Sequence, residues 1–181
     1  MGRETDERDA AASQLHLLDQ LYRTHPSTGP AVRRSPSVNT SAPLNIGIVD
    51  YIDRCVDEVV QHARAEAPGP TGPVPTRVAD IYDWYREHTE DAGPEVQLQR
   101  DILIVRQRLE HGIRMGDYNV VCPHPCPRCT TWGLQWQPYT QRAMCLNVKC
   151  RDRDGMASSW TLGRLATQYV MKKEILRIRA T

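Results

Sequence analysis

Two close pairs of cysteines in the last third of the chain, Cys126-Pro-Arg-Cys129 and Cys145-Leu-Asn-Val-Lys-Cys150, constrain its fold more than any other feature. Fifteen residues separate them, enough for two strands of five or six residues and a turn. Each spacing lets one tight turn aim two sulfurs at a common point, and a hairpin between the turns brings the pairs together. Four thiolates so arranged match the tetrahedral coordination of zinc. With every ligand a cysteine, no position is left for a reactive water, so the ion is expected to be structural. The surrounding segment of about sixty residues, 122–181, is rich in loops and buries too little apolar area to fold well alone. Metal-coupled folding, worth on the order of 10 kcal/mol in small zinc domains, supplies the difference.

The ligand set has one ambiguity. Cys122 and His124 precede the first pair in Cys-Pro-His-Pro-Cys-Pro-Arg-Cys. Cys122 can therefore substitute for Cys126, although Cys126–Cys129 has the commoner spacing, and His124 is a weaker alternative. Disulfides and an iron–sulfur cluster are further readings of the same cysteines. The charged N-terminus, Met1-Gly-Arg-Glu-Thr-Asp-Glu-Arg-Asp9, lacks an apolar leader, which points to the cytoplasm, where clustered cysteines more often bind metal than pair. No apolar run approaches the roughly 18 residues that cross a bilayer, and no membrane association is expected.

The first two thirds of the chain have a helical texture. Leu15, Leu18, Leu21 and Tyr22 recur at helical spacing, placing a first helix within an N-terminal segment, 1–24. Residues 25–43 are rich in Pro, Ser, Thr and Gly and read as a flexible linker. A helical domain then spans 44–121. Its first helix runs from Leu44 to Ala67 with a stripe of Ile48, Ile52, Cys55, Val56, Val59 and Ala63, in which Cys55 is a small core residue. The proline-rich stretch to Pro75 ends it. Thr76 is placed to cap the next helix, across Val78, Ile81, Tyr82 and Tyr85 to near Gly93. Pro94 opens another, with Leu98, Ile102, Val105, Leu109 and Ile113 on one face and Gly116 as its stop. The single histidines His16, His62, His88 and His111 are expected at surface or interface positions.

From Cys122 the texture changes to prolines, cysteines and short β-prone runs. Residues 130–136 and 139–144 read as a hairpin turning near Pro138, 157–160 as a third strand, and Thr161 to about Arg177 as a final helix with Leu165, Tyr169, Val170 and Leu176 on one side. The expected fold class is α+β: a small helical domain of about four helices, then a β-hairpin built on the cysteines and a terminal helix, with residues 122–181 as the second domain.

Residues 122–160 resemble a zinc ribbon, on the strength of Cys126-Pro-Arg-Cys129, the Trp132-Gly-Leu hairpin entry and Cys145-Leu-Asn-Val-Lys-Cys150. The Pro-rich entry carrying Cys122 departs from the simplest ribbon pattern. More loosely, the layout resembles uncharacterised small zinc-ribbon proteins of actinobacterial phages and integrated elements. The ribbon resemblance implies binding of nucleic acid or docking to a nucleic-acid-processing machine.

Charge asymmetry agrees with such a partner. Residues 1–121 carry thirteen Arg against nineteen Asp and Glu, about −6, whereas residues 122–181 carry ten Lys and Arg against three acids, about +7. Four zinc-bound thiolates lower the latter to nearer +5. Arg128, Arg142, Lys149, Arg151 and Arg153 surround the cysteine turns and hairpin, and Lys172, Lys173, Arg177 and Arg179 continue along the last helix. Interleaved with Trp132, Trp136 and Tyr139, they combine phosphate contacts with base stacking. The competing expectation is a phage- or element-encoded structural or assembly protein, whose zinc is only a folding staple. The helices are expected to mediate protein contacts, including self-association. The start of a helix-turn-helix at Trp160-Thr-Leu-Gly-Arg is a minor alternative. Phosphate-loop, Rossmann, Gly-x-Ser-x-Gly and His-Glu-x-x-His patterns are all missing, and Asp80, Asp83 and Glu87 read as a solvated helix face, so no enzymatic activity is expected.

Overall fold

Residues 11–20 and 46–180 are described by the computed structural model, and among them the fold is α+β, with five helices and a three-stranded antiparallel sheet. The expected linker 25–43 and the ends of the expected first helix lie outside the described residues. Helix α1, residues 11–20, buries Ala11, Leu15 and Leu18, which recur every three to four residues. Helix α2, Ile46–Glu66, turns the expected stripe inward and adds Tyr51 and Val60 to it.

The next segment departs from expectation at both ends. Thr76 caps nothing: a short 3-10 turn, Val78–Asp80, follows Arg77 in extended backbone and leads into α3, Ile81–His88, without a side-chain cap at either start. Arg77 instead pairs with Asp80, Nε to Oδ2 2.8 Å. Helix α3 stops well before Gly93, where the Thr89 hydroxyl donates back to the Tyr85 carbonyl at 2.7 Å. Gly93 instead precedes Pro94, the first residue of α4, Pro94–Arg114. Proline suits that place because its missing N–H would have had no partner in the first turn.

Helix α4 is buried on two sides. The expected stripe of Leu98, Ile102, Val105, Leu109 and Ile113 occupies one face at 100° per residue, and Leu103, Ile104, Gln107 and His111 occupy the opposite one. Leu103 and Ile104 join the core built by α1, α2 and α3, with Ile52, Val59, Ile81, Tyr82 and Tyr85. Leu109 and Ile113 join a second core with Val121, Leu134, Trp136, Leu162, Leu165 and the cysteines. The two cores therefore meet on one helix, and residues beyond 94 serve both the helical part and the ribbon.

A buried polar network seals the face that carries Leu103 and Ile104. His111, expected at a surface or interface, is fully buried. Its Nδ1 lies 2.7 Å from the Tyr51 hydroxyl and its Nε2 2.8 Å from that of Tyr82. Tyr82 donates to Gln107 Oε1 at 2.7 Å, so it accepts from His111 Nε2–H, which leaves Nδ1 to accept from Tyr51. Gln107 Nε2 donates to the Cys55 carbonyl at 3.1 Å and to Glu58 at 3.0 Å. A neutral imidazole satisfies every member of this chain. Burial, then the nearby Arg106 guanidinium, push the His111 pKa down to about 3.

Beyond α4, a 3-10 turn, Tyr118–Val121, enters the ribbon. Strand β1, Leu134–Gln137, pairs with β2, Arg142–Cys145, from Leu134↔Cys145 to Gln137↔Arg142, and β3, Ser159–Trp160, adds to the far edge of β2. Residues 130–133, expected in the first strand, belong instead to the turn around the first cysteine pair. Helix α5, Leu162–Ala180, lies along α4 and buries Leu165, Ala166 and Val170. Leu176, expected on its buried side, is 56% exposed.

His111 supplies a pH test. Its folded pKa lies below the ordinary value of 6.5, so the unfolded chain binds the extra proton between those limits and stability falls as pH drops below about 6.5. The loss approaches about 1.4 kcal/mol per pH unit until pH about 3. His111→Gln should lack that component when denaturant midpoints are compared from pH 4 to 7. His111→Ala should cost about 2–4 kcal/mol at pH 7, through a cavity, a Tyr51 hydroxyl left without its imidazole acceptor and a Tyr82 hydroxyl that keeps only Gln107.

Candidate metal centre

The first knuckle is a loop closed on itself. Cys126 N–H donates to the Thr131 carbonyl at 3.0 Å and Thr130 N–H to the Cys126 carbonyl at 2.9 Å. Closing it places Thr130 at φ +59°, a left-handed conformation that β-branched residues rarely adopt. The second knuckle is held by Cys150 N–H on the Asn147 carbonyl at 2.8 Å and by Lys149 N–H on Asn147 Oδ1 at 3.0 Å. Leu146 N–H donates to the Gly133 carbonyl at 2.9 Å, which joins the two knuckles. Past Cys150, Asp152 accepts from the N–H groups of Asp154 and Met156 and turns the chain toward β3.

These turns bring Cys126, Cys129, Cys145 and Cys150 together, with all four sulfurs within 4.8 Å of one another. The shortest separations run between knuckles: Cys126 to Cys150 is 3.8 Å and Cys129 to Cys145 is 3.7 Å. A tetrahedral ion with metal–sulfur bonds of about 2.3 Å requires sulfurs roughly 3.8 Å apart, whereas a disulfide requires roughly 2 Å. The set fits a metal ion, and none of its cysteines is in a disulfide. Three of the four are buried, and Cys129 is half-buried. The Thr131 hydroxyl lies 2.9 Å from Cys129 Sγ and, with the Thr131 N–H, holds that thiol down at about 6. Burial pushes Cys145 up to about 12. Without a cation, thiols so close do not all ionise together.

Cys122 is not part of the cluster. It is exposed, and its thiol is directed to the Leu134 carbonyl at 3.5 Å and Asn119 Oδ1 at 3.9 Å. Buried His124 packs edge-on to Tyr169, ring centroids 5.3 Å apart, outside the cluster as well. Cys55 is buried in the helical core, as its place on the stripe indicated.

The basic residues divide into two groups. Arg128 donates to the Arg151 carbonyl and reaches Ser158 Oγ at 3.4 Å, tying the first knuckle to the strand after the second. Arg142 spans β2 to β3, with Nε on Ser159 Oγ at 2.9 Å and a terminal N–H on the Ser159 carbonyl at 3.1 Å. Both are structural ties that sequence alone does not reveal. Lys149, Arg151, Arg153, Lys172, Lys173, Arg177 and Arg179 are exposed. Among the aromatics, Trp136 is in the core, whereas Trp132 is 66% exposed and Tyr139 fully so. Exposed Leu146 and Val148 adjoin Lys149 on the second knuckle.

Compared with protein-family models, curated proteins and solved structures, the chain finds no match.

Cobalt(II) titration of the reduced protein should develop thiolate-to-metal absorption bands that saturate at one ion per chain. Cys126→Ser and Cys150→Ser should each weaken or abolish the bands, while Cys122→Ser should leave them intact and change stability by under about 0.5 kcal/mol.

Proposed function

We propose that this chain is a non-enzymatic zinc-ribbon protein of the cytoplasm that binds nucleic acid, alone or within a nucleic-acid-processing complex. Cys126, Cys129, Cys145 and Cys150 would hold a structural Zn²⁺, the ion that four sulfurs at near-tetrahedral spacing suit best. The observation that carries the binding reading is the outer face of the ribbon. Trp132 stands exposed three residues past Cys129, and Tyr139 at the hairpin turn, with Lys149, Arg151 and Arg153 on the neighbouring segment. An exposed aromatic offers a base a π-face to stack on, while the cations meet phosphate. Unpaired bases in a single strand offer that face more readily than a duplex does.

The alternative, a structural or assembly protein of phage or mobile-element origin with zinc as a folding staple, draws on Arg128 and Arg142. Together with Arg151, whose Nε donates to the Val148 carbonyl at 2.9 Å, these basic residues beside the cysteines are bonded internally and have fewer donors left for a ligand.

Salt titration separates the two readings. Binding of a single-stranded oligonucleotide, followed by tryptophan quenching, should weaken with a log–log slope of about −0.7 per phosphate contacted. The triple variant Lys149→Glu, Arg151→Glu, Arg153→Glu should bind at least tenfold more weakly (about 1.4 kcal/mol or more) and show a shallower slope, and Trp132→Ala should cost about 1–3 kcal/mol. Absence of binding to DNA and RNA at low salt would leave the staple reading. Chelation of the ion should unfold the ribbon in either case.

A further inference from the structure

Helix α5 buries side chains only as far as Val170, and none of its later described side chains is buried. Large apolar groups are nevertheless concentrated there: Met171 and Ile175 are each 48% exposed and Leu176 is 56% exposed. Met171 and Ile175 stand four residues apart and share one face, turned away from the buried Leu165, Ala166 and Val170. Exposed Lys172 and Arg179, seven residues apart, flank them. The outer face of the last turns of α5 is thus apolar at its centre and cationic beside it, a composition that marks an interaction surface.

The complement of that face lies elsewhere on the same chain. A cleft of about 1020 Å³ is bounded by α2, α4, the hairpin and the start of α5. Tyr51, Ile113, Trp136 and Leu162 give it an apolar part, and Asp50, Asp53 and Asp57 line it from α2, joined by Glu58 and Glu110. Three arginines share the lining, and each is engaged within the protein. Arg106 bonds Glu58 and Glu110, while Arg54 and Arg114 lie over the Tyr51 ring, 5.8 and 4.5 Å from its centroid. Asp50, Asp53 and Asp57 are exposed and form no ion pair among the described residues. Five carboxylates against three guanidiniums leave the lining acidic. Trp136 adds an unused donor: it is 4% exposed, and its indole N–H makes no hydrogen bond. Such a lining favours an occupant that brings apolar groups, cations and a carbonyl, as the end of a helix does.

Helix α5 cannot meet its own cleft. Thr161, Leu162 and Gly163 line the cleft, and Ile175 lies thirteen residues past Leu162 on one continuous helix, about 20 Å away. The face and the cleft can therefore join only between copies. Pairing two such faces would set Lys172 and Arg179 of one copy against those of the other, and a polyanion would leave Met171 and Ile175 without apolar contact. The acid-lined cleft answers both the charge and the apolar side chains.

We infer that the outer face of α5 docks into the α2–α4 cleft of a second copy of this chain, giving head-to-tail association. Each contact uses one face and one cleft and leaves another of each at the ends, so association can propagate past a dimer. No residue of the ribbon's outer surface takes part, so this inference and the nucleic-acid reading fail independently.

Sedimentation velocity of the full-length, reduced protein with zinc present should show, at low salt, mass rising with concentration beyond that of a dimer. Added salt should reverse the rise. Met171→Gln with Ile175→Gln should weaken association at least tenfold without lowering the melting temperature, because neither side chain is buried. A cleft-reversed chain, Asp53→Lys with Asp57→Lys, and a tail-reversed chain, Lys172→Glu with Arg179→Glu, should each stay monomeric alone. Mixed one to one, they should associate again, because each reversed surface then meets an opposite charge. The triple variant Lys149→Glu, Arg151→Glu, Arg153→Glu should associate like the wild type. A protein that is monomeric at every concentration overturns the inference. Association that survives the cleft reversal also overturns it, by showing that the α5 faces pair with each other, and so does a mixture that stays monomeric. Oligonucleotide binding by a monomeric wild type, lost in the tail-reversed chain, assigns the face to nucleic acid instead.

Discussion

Because α4 meets the helical core with Leu103 and Ile104 and the cysteine-lined core with Leu109 and Ile113, neither core can come apart without exposing a face of the same helix. A helix buried on two sides must also hide polar groups, and here the solution is a closed chain of hydrogen bonds through Gln107, Tyr82, His111 and Tyr51. Arg106 reinforces it from the rim by bonding Glu58 of α2 and Glu110 of α4. Partial satisfaction of such a network would be worse than an apolar contact, so its completeness fixes how α2, α3 and α4 sit against one another. Helix α5, lying along α4, extends the same dependence to the C-terminal segment.

The ribbon solves a different problem. It has little apolar surface to bury, and its two knuckles are assembled by backbone hydrogen bonds, by Arg128 and Arg142 acting as ties, and by four converging sulfurs. An ion shared by those sulfurs would neutralise charge that the protein alone could not accommodate in so small a space. Exposed aromatics and cations lie on the ribbon, and acidic residues line a cleft on the Arg106 side of α4.

Much of this was legible in the sequence because it rests on period and spacing. The stripe of α2 and one face of α4 follow directly from residues three and four apart, and the cysteine spacing anticipated the cluster. The second face of α4 escaped because two of its buried members are Gln107 and His111, whose polarity hides them from a hydrophobic pattern. The partners that make their burial tolerable come from α2 and α3, distant in sequence. Thr76 failed as a cap because the chain stays extended through Arg77. The roles of Arg128 and Arg142 depend on carbonyls seventeen or more residues away, beyond the reach of local reasoning. Between Cys122 and Cys126, spacing favoured the residue that the structure places in the cluster, and the extra cysteine, Cys122, lies on the surface.

The chain has no phenylalanine, and its four tryptophans are divided among distinct environments. Trp84 lies in the helical core beside His88, Trp136 in the sulfur-lined core with Trp160 packed against it, and Trp132 in solvent. Each region thus carries its own native chromophore. Ultraviolet emission from single-tryptophan versions can follow one layer of the molecule at a time, with no dye attached.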